Sequence, residues 1–170
     1  MSEKLHIRVL EKEDLHFVHR LFNDESVTNY WFEEPYLSFE QLKKEYDEQL
    51  RTDRLRRFIL EDEAGERVGF VALYKIDHQH RHAEFAIIIS PDYQGKGYAS
   101  IATDLAISYS FSILNLHKLY LLVAKKNEKA IHIYEKAGFK EEGLLKEHFF
   151  VDGQYEDCLI MSLFQNDFIK

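Results

Sequence analysis

The run Ile87-Ile88-Ile89, broken at Pro91-Asp92 and followed by Gln94-Gly95-Lys96-Gly97, constrains this chain more than any other stretch. Continuous apolar runs of this kind mark strands buried on both faces, so Arg81 to Ser90 is predicted to be an inner strand. Tyr98 to Leu114 carries an apolar stripe at helical spacing and is predicted to be a long helix. A glycine turn from buried strand into helix leaves main-chain N–H groups without partners, a place where a phosphate can sit. Gly95 and Gly97 allow close backbone approach there. On the local pattern alone, a phosphate loop and an ordinary connection both stand. Two familiar phosphate motifs fit poorly: Gly95-Lys96 is followed by Gly97 rather than Ser or Thr, and Ser100 stands where a dinucleotide fingerprint needs Gly or Ala.

The remaining segments alternate between strand and helix. Leu5, Ile7 and Val9 have strand periodicity, and Leu15, Val18, Leu21 and Phe22 have helical spacing. Ser38 and Gln41 have capping-box spacing, which predicts a helix over 38–51. Arg57 to Glu61, Arg67 to Ile76 and Arg81 to Ser90 are joined by short turns, as in an antiparallel meander. Leu119 to Ala124 is a further strand, Glu128 to Ala137 a helix closed by Gly138, and Phe139 onward strand again, with a hairpin turn at Asp152-Gly153. One α/β (α+β) domain over residues 1–170, with a mixed sheet, is the expected architecture.

Composition narrows the class. At 45% hydrophobic residues with 7 Gly and 2 Pro, the chain is too apolar for a disordered or collagen-like protein. A net charge of −8 disfavours nucleic acid and anionic membrane as partners. The opening residues lack a signal-peptide core, and no segment has the roughly 18 apolar residues of a membrane span. With a single cysteine, Cys158, a cytoplasmic location is expected. His78, His80 and His82 are spaced like metal ligands but fall at a polar turn without supporting Cys, so no metal is expected.

Gln94-Gly95-Lys96-Gly97-Tyr98-Ala99 resembles the Gln/Arg-x-x-Gly-x-Gly/Ala loop of the GNAT acyl-CoA N-acyltransferases. Asn127 to Phe139 resembles a later helix of that family, with its Asn, Tyr and Gly-Phe in place. Within the superfamily the chain is most similar to bacterial spermidine/spermine N-acetyltransferases, through Tyr30 to Tyr36, Glu84-Phe85, Ile87 to Ile89 and Leu114 to Tyr120. The likeness implies a GNAT fold: a mixed, mostly antiparallel sheet flanked by helices, with a splayed strand pair admitting acetyl-CoA as co-substrate. It also implies a homo-oligomer.

The resemblance further implies site residues. The amides of Gln94, Gly95, Lys96, Gly97, Tyr98, Ala99 and Ser100 would hold the CoA pyrophosphate, Asn127 and Lys136 would also contact the co-substrate, and the backbone of Ile87, Ile88 and Ile89 would pair with the pantetheine arm. Tyr134 would face the sulfur and protonate the leaving thiolate, with Glu84 taking the amine proton directly or through water. Trp31, Glu33, Glu34, Glu84 and Phe85 are the candidate residues for a cationic amine, since an ammonium gains from both an aromatic face and a carboxylate.

Two stretches depart from the polyamine pattern. Val71-Ala72-Leu73-Tyr74-Lys75-Ile76 stands where such enzymes show Val-Glu-Leu-x-Glu-Ile, and Gln49 and Leu55 replace polar residues after the second helix. Lys75 would repel a polyamine, and a regulatory polyamine site between subunits is expected to be weakened. The expected activity is acetyl transfer to a primary amine, a polyamine first. A protein N-terminus or another small amine is the alternative acceptor, and a CoA-binding or polyamine-sensing module without turnover is the alternative class.

Overall fold

A computed structural model describes residues 4–31 and 33–168, with Trp31 described for its backbone alone. One seven-stranded sheet runs in the order β1-β2-β3-β4-β5-β7-β6. Its strands are β1 (His6–Val9), β2 (Arg56–Glu61), β3 (Arg67–Asp77), β4 (His82–Ile89), β5 (Lys118–Ala124), β6 (Lys140–Val151) and β7 (Gln154–Phe164). All neighbours are antiparallel except β4 and β5.

Helices α1 (Leu15–Phe22), α2 (Glu25–Trp31) and α3 (Phe39–Gln49) precede β2. The apolar residues of α1 and α3 pack with Ile59, Phe70, Ala72 and Ile88 on one sheet face. Helices α4 (Tyr98–Ser108) and α5 (Glu128–Lys136) pack on the other face with Val71, Leu73, Phe85 and Leu119. A single helical turn, α6 (Gln165–Phe168), follows β7. Alternate residues of β3 and β4 therefore enter different cores, as strand geometry requires.

Most sequence expectations match. Ser38 caps α3 with the reciprocal Gln41 contact, and Asp152-Gly153 turns with both residues at positive φ, as a type I′ hairpin needs. Three details differ. Val9 is largely exposed although its spacing marks it as core. Helix α2 has no clear apolar stripe and was not expected. The predicted Tyr98 to Leu114 helix stops at Ser108 and widens into a π-turn over Tyr109–Ile113. Two bonds reshape that end: the buried Ser110 hydroxyl donates to the Ala106 carbonyl, and the Gln165 amide donates to the Phe111 carbonyl. Among the described residues, no helix is long and apolar enough to cross a membrane.

Candidate active site

Strands β4 and β5 pair only at His82–Lys118, Ala83–Leu119 and Glu84–Tyr120, although β4 runs on to Ile89 and β5 to Ala124. Beyond Glu84 the two strands part, and a gap opens in the middle of the sheet. A cavity of about 1280 Å³ reaches through this region. It is lined by Ile87 to Ile89, Gln94, Gly95, Gly97 to Ser100, Asn127, Tyr134, Phe85, Glu84, Glu33 and Glu34. Residues far apart in the chain are thus brought to one place.

At one end lies the glycine loop. Gly95 and Gly97 both have φ of +79°, and a Cβ at either would meet nothing within 4 Å. Conformation, not crowding, is the reason for glycine at both positions. The amides of residues 95–100 find no acceptor among the described residues, and Gly97 caps the start of α4. Successive free N–H groups at a left-handed turn and a helix start form an anion-binding concavity. That donor set fits the diphosphate of acetyl-CoA. Lys96 lies outside the cavity lining, its ammonium 5.2 Å from the Tyr93 ring centre and 5.8 Å from that of Tyr98. Lys136 also lies outside, exposed on the last turn of α5.

Helix α5 places Tyr134. The Asn127 side chain accepts from the Ala130 amide and starts the helix. At its end the Gly138 amide donates to the Glu135 carbonyl and the Phe139 amide to the Tyr134 carbonyl, a Schellman closure with Gly138 at φ of +102°. The accompanying apolar contact is between the rings of Phe139 and Tyr134, 5.9 Å apart. The Gly-Phe signature is therefore the clamp that fixes the tyrosine. Phe85 meets the Tyr134 ring edge-on at 6.2 Å, and burial pushes the phenol up to about 12. Phe85 is almost fully buried on the Tyr134 side, opposite the face that carries Glu84.

Glu84 sits where the strands part, across from Tyr74 in β3 and Tyr120 in β5. It is not free: the Lys75 ammonium donates to its carboxylate at 2.7 Å. Farther out, partial burial and the neighbouring Glu45 and Glu34 raise the pKa of Glu33. Asn23 holds the loop that bears Glu33 and Glu34. Its side chain accepts from the Leu37 amide at 2.9 Å and donates to the Leu37 carbonyl at 3.0 Å. Sequence reasoning missed this anchor, because an Asn after a helix reads as an ordinary cap. The Trp31 side chain lies outside the described residues. Cys158 is buried, with its thiol raised to about 11 by burial, so it is no nucleophile.

The splayed strand pair thus opens a cavity that reaches from the main-chain amides of the glycine loop to the partly buried phenol of Tyr134. Residues 4–140 match the acetyltransferase (GNAT) domain, and the chain belongs to that family of acetyl-CoA-dependent enzymes. Spermidine N(1)-acetyltransferase of Escherichia coli is 51% identical over 168 residues, 99% of this chain and 90% of that protein. Spermidine N-acetyltransferase of Vibrio cholerae, in a crystal structure with CoA and spermine, superposes with a TM-score of 0.96 at 47% identity, over 98% of both chains. A dodecameric structure of the Vibrio cholerae enzyme in an intermediate state matches at a TM-score of 0.87 and 46% identity, over 98% of this chain and 96% of the other.

Proposed function

We propose that this protein acetylates a polyamine, spermidine or spermine, by direct attack of the amine on acetyl-CoA within a ternary complex. The carrying observation is a cavity lined in turn by the free amides of the glycine loop, Tyr134, and the carboxylates of Glu84, Glu33 and Glu34. The names of the two relatives above support the choice of acceptor.

In this reading the amides of residues 95–100 grip the diphosphate, the backbone of Ile87 to Ile89 aligns the pantetheine arm, and acetyl-CoA supplies the activated acyl group. A primary amine with a pKa near 10.4 is neutral in only about one molecule in 2500 at pH 7, so freeing the nucleophile costs roughly 4.6 kcal/mol without a base. Glu84 receives that proton, directly or through water. The phenol of Tyr134, protonated across the working pH range, donates a proton to the departing thiolate. Glu33 and Glu34 hold the acceptor's remaining ammonium groups. The protein acts in the cytoplasm as a homo-oligomer.

Thiol release from acetyl-CoA tests this directly, with spermidine, spermine and amine-terminated peptides offered in parallel. Turnover with the polyamines is the expected result. Turnover with peptides alone would move the acceptor to a protein N-terminus, and tight acetyl-CoA binding without any release would make the protein a sensor.

A further inference from the structure

The acceptor end of the cavity contains its own cation. From α2 to β4, the lining includes the carboxylates of Glu33, Glu34, Glu45 and Glu84 and the cations of Arg54, Arg57 and Lys75. Two of the carboxylates are engaged within the chain: Glu84 by Lys75 at 2.7 Å, and Glu45 by Arg57 at 3.8 Å. Glu33 and Glu34 have no ion pair or hydrogen bond among the described residues.

The backbone is shaped to bring Lys75 there. Val71 and Leu73 enter the core on the α4 side of the sheet, while Phe70 and Ala72 enter the other. Strict alternation would put Lys75 with Val71 and Leu73 and send Ile76 to the opposite face. Instead the β3–β4 register slips between Tyr74 and Asp77, Lys75 has φ of +51°, and Ile76 joins the α4-side core. The bulge turns Lys75 onto the face of Tyr74 and Glu84.

We propose that Lys75 is a specificity-determining residue: a tethered ammonium that occupies an acceptor subsite at Glu84 and selects the triamine over the tetraamine. This rests on the polyamine reading above. When one amine of spermidine reacts at Glu84, two ammonium groups remain, matching Glu33 and Glu34. Spermine brings one more, which finds no unengaged carboxylate among the described residues of the α2-to-β4 lining and instead faces the cations of Lys75, Arg54 and Arg57. A charge left without a partner in a partly desolvated cavity weakens binding, and repulsion discriminates against the wrong ligand. The Lys75 side chain is 70% exposed, so the discrimination is moderate rather than absolute.

Internal competition reads this without dependence on how much of a variant is folded. Equimolar spermidine and spermine are mixed with acetyl-CoA and the enzyme, and the acetylated products are quantified by mass spectrometry. Wild type is expected to favour acetylspermidine. Lys75→Glu should shift the product ratio toward acetylspermine by about three- to tenfold, as expected for a partly exposed charge. Lys75→Met should shift it less in the same direction, and Lys75→Arg should keep the wild-type ratio. An unchanged ratio in both Lys75→Glu and Lys75→Met, with both amines turned over, would overturn the role of Lys75 alone. If wild type acetylates neither amine, the polyamine reading itself fails and takes this inference with it.

Discussion

The environment of the Tyr134 phenol is set by desolvation beside the rings of Phe85 and Phe139 and not by any charged neighbour. Desolvation disfavours the phenolate and lifts its pKa to about 12, so the side chain keeps its proton at every pH where a polyamine would be assayed. Tyr134→Phe is expected to lower kcat by about 10²- to 10⁴-fold, the usual contribution of a positioned acid, with little change in the acetyl-CoA dissociation constant. Because the phenol titrates near 12, any loss of wild-type rate between pH 8 and 10 must come from another group. A Tyr134→Phe variant with wild-type kcat would remove the proposed acid. The placement of this residue on a capped helix was legible in the sequence because its clamp is local: Asn127, Gly138 and Phe139 lie within seven positions of it. The engagement of Glu84 by Lys75 was not, because it depends on a register slip between two strands.

Among the elements, those whose ends are set by short-range hydrogen bonds were readable and those shaped by distant partners were not. The α3 capping box and the Asp152-Gly153 turn are written in four residues or fewer. The end of α4 depends on Gln165, which is 54 positions from its partner Phe111. Asp14 shows the same dependence on distant contacts. It lies in the turn before α1, and its buried carboxylate accepts from Arg8 of β1 and Arg67 of β3. Burial by itself would raise its pKa, but the hydrogen bonds from Arg8, the Glu11 amide and Arg67 outweigh that and hold it at about 2. A carboxylate with a lowered folded pKa contributes stability that is present above its unfolded value near 4 and is lost as pH falls toward 2, here about 2–3 kcal/mol. Asp14→Asn should therefore reduce the urea-unfolding free energy by about that amount at pH 7. The gap to wild type should narrow markedly at pH 3. A gap of equal size at both values would mean that the carboxylate charge is not what stabilises the joint.

On the scale of the whole molecule, the cavity draws its lining from both faces of one sheet. Tyr134 and Phe85 belong to the α4–α5 side and Glu84, Tyr74 and Lys75 to the other, and they share a cavity only because the parallel pair separates after three residues. The rings of Phe150 and Tyr155, 5.1 Å apart at the β6–β7 hairpin, are exposed. Light scattering of the purified protein should return a multiple of 20.3 kDa, and a mass of 20.3 kDa would contradict the proposed assembly.

Local chemistry set the glycine loop, the tyrosine-bearing helix with its caps, the α3 capping box and the Asp152-Gly153 turn. In each of them the decisive contacts join residues a few positions apart, and the chain order alone specifies them. Where β4 and β5 separate, which face each β3 residue takes after its bulge, and which cation meets Glu84 all depend on pairings between distant segments. Strand register has a period of two, so one extra residue in β3 reverses the side chains that follow. No local pattern in the chain shows where that slip falls, and it is the slip that turns Lys75 toward Glu84 in the cavity.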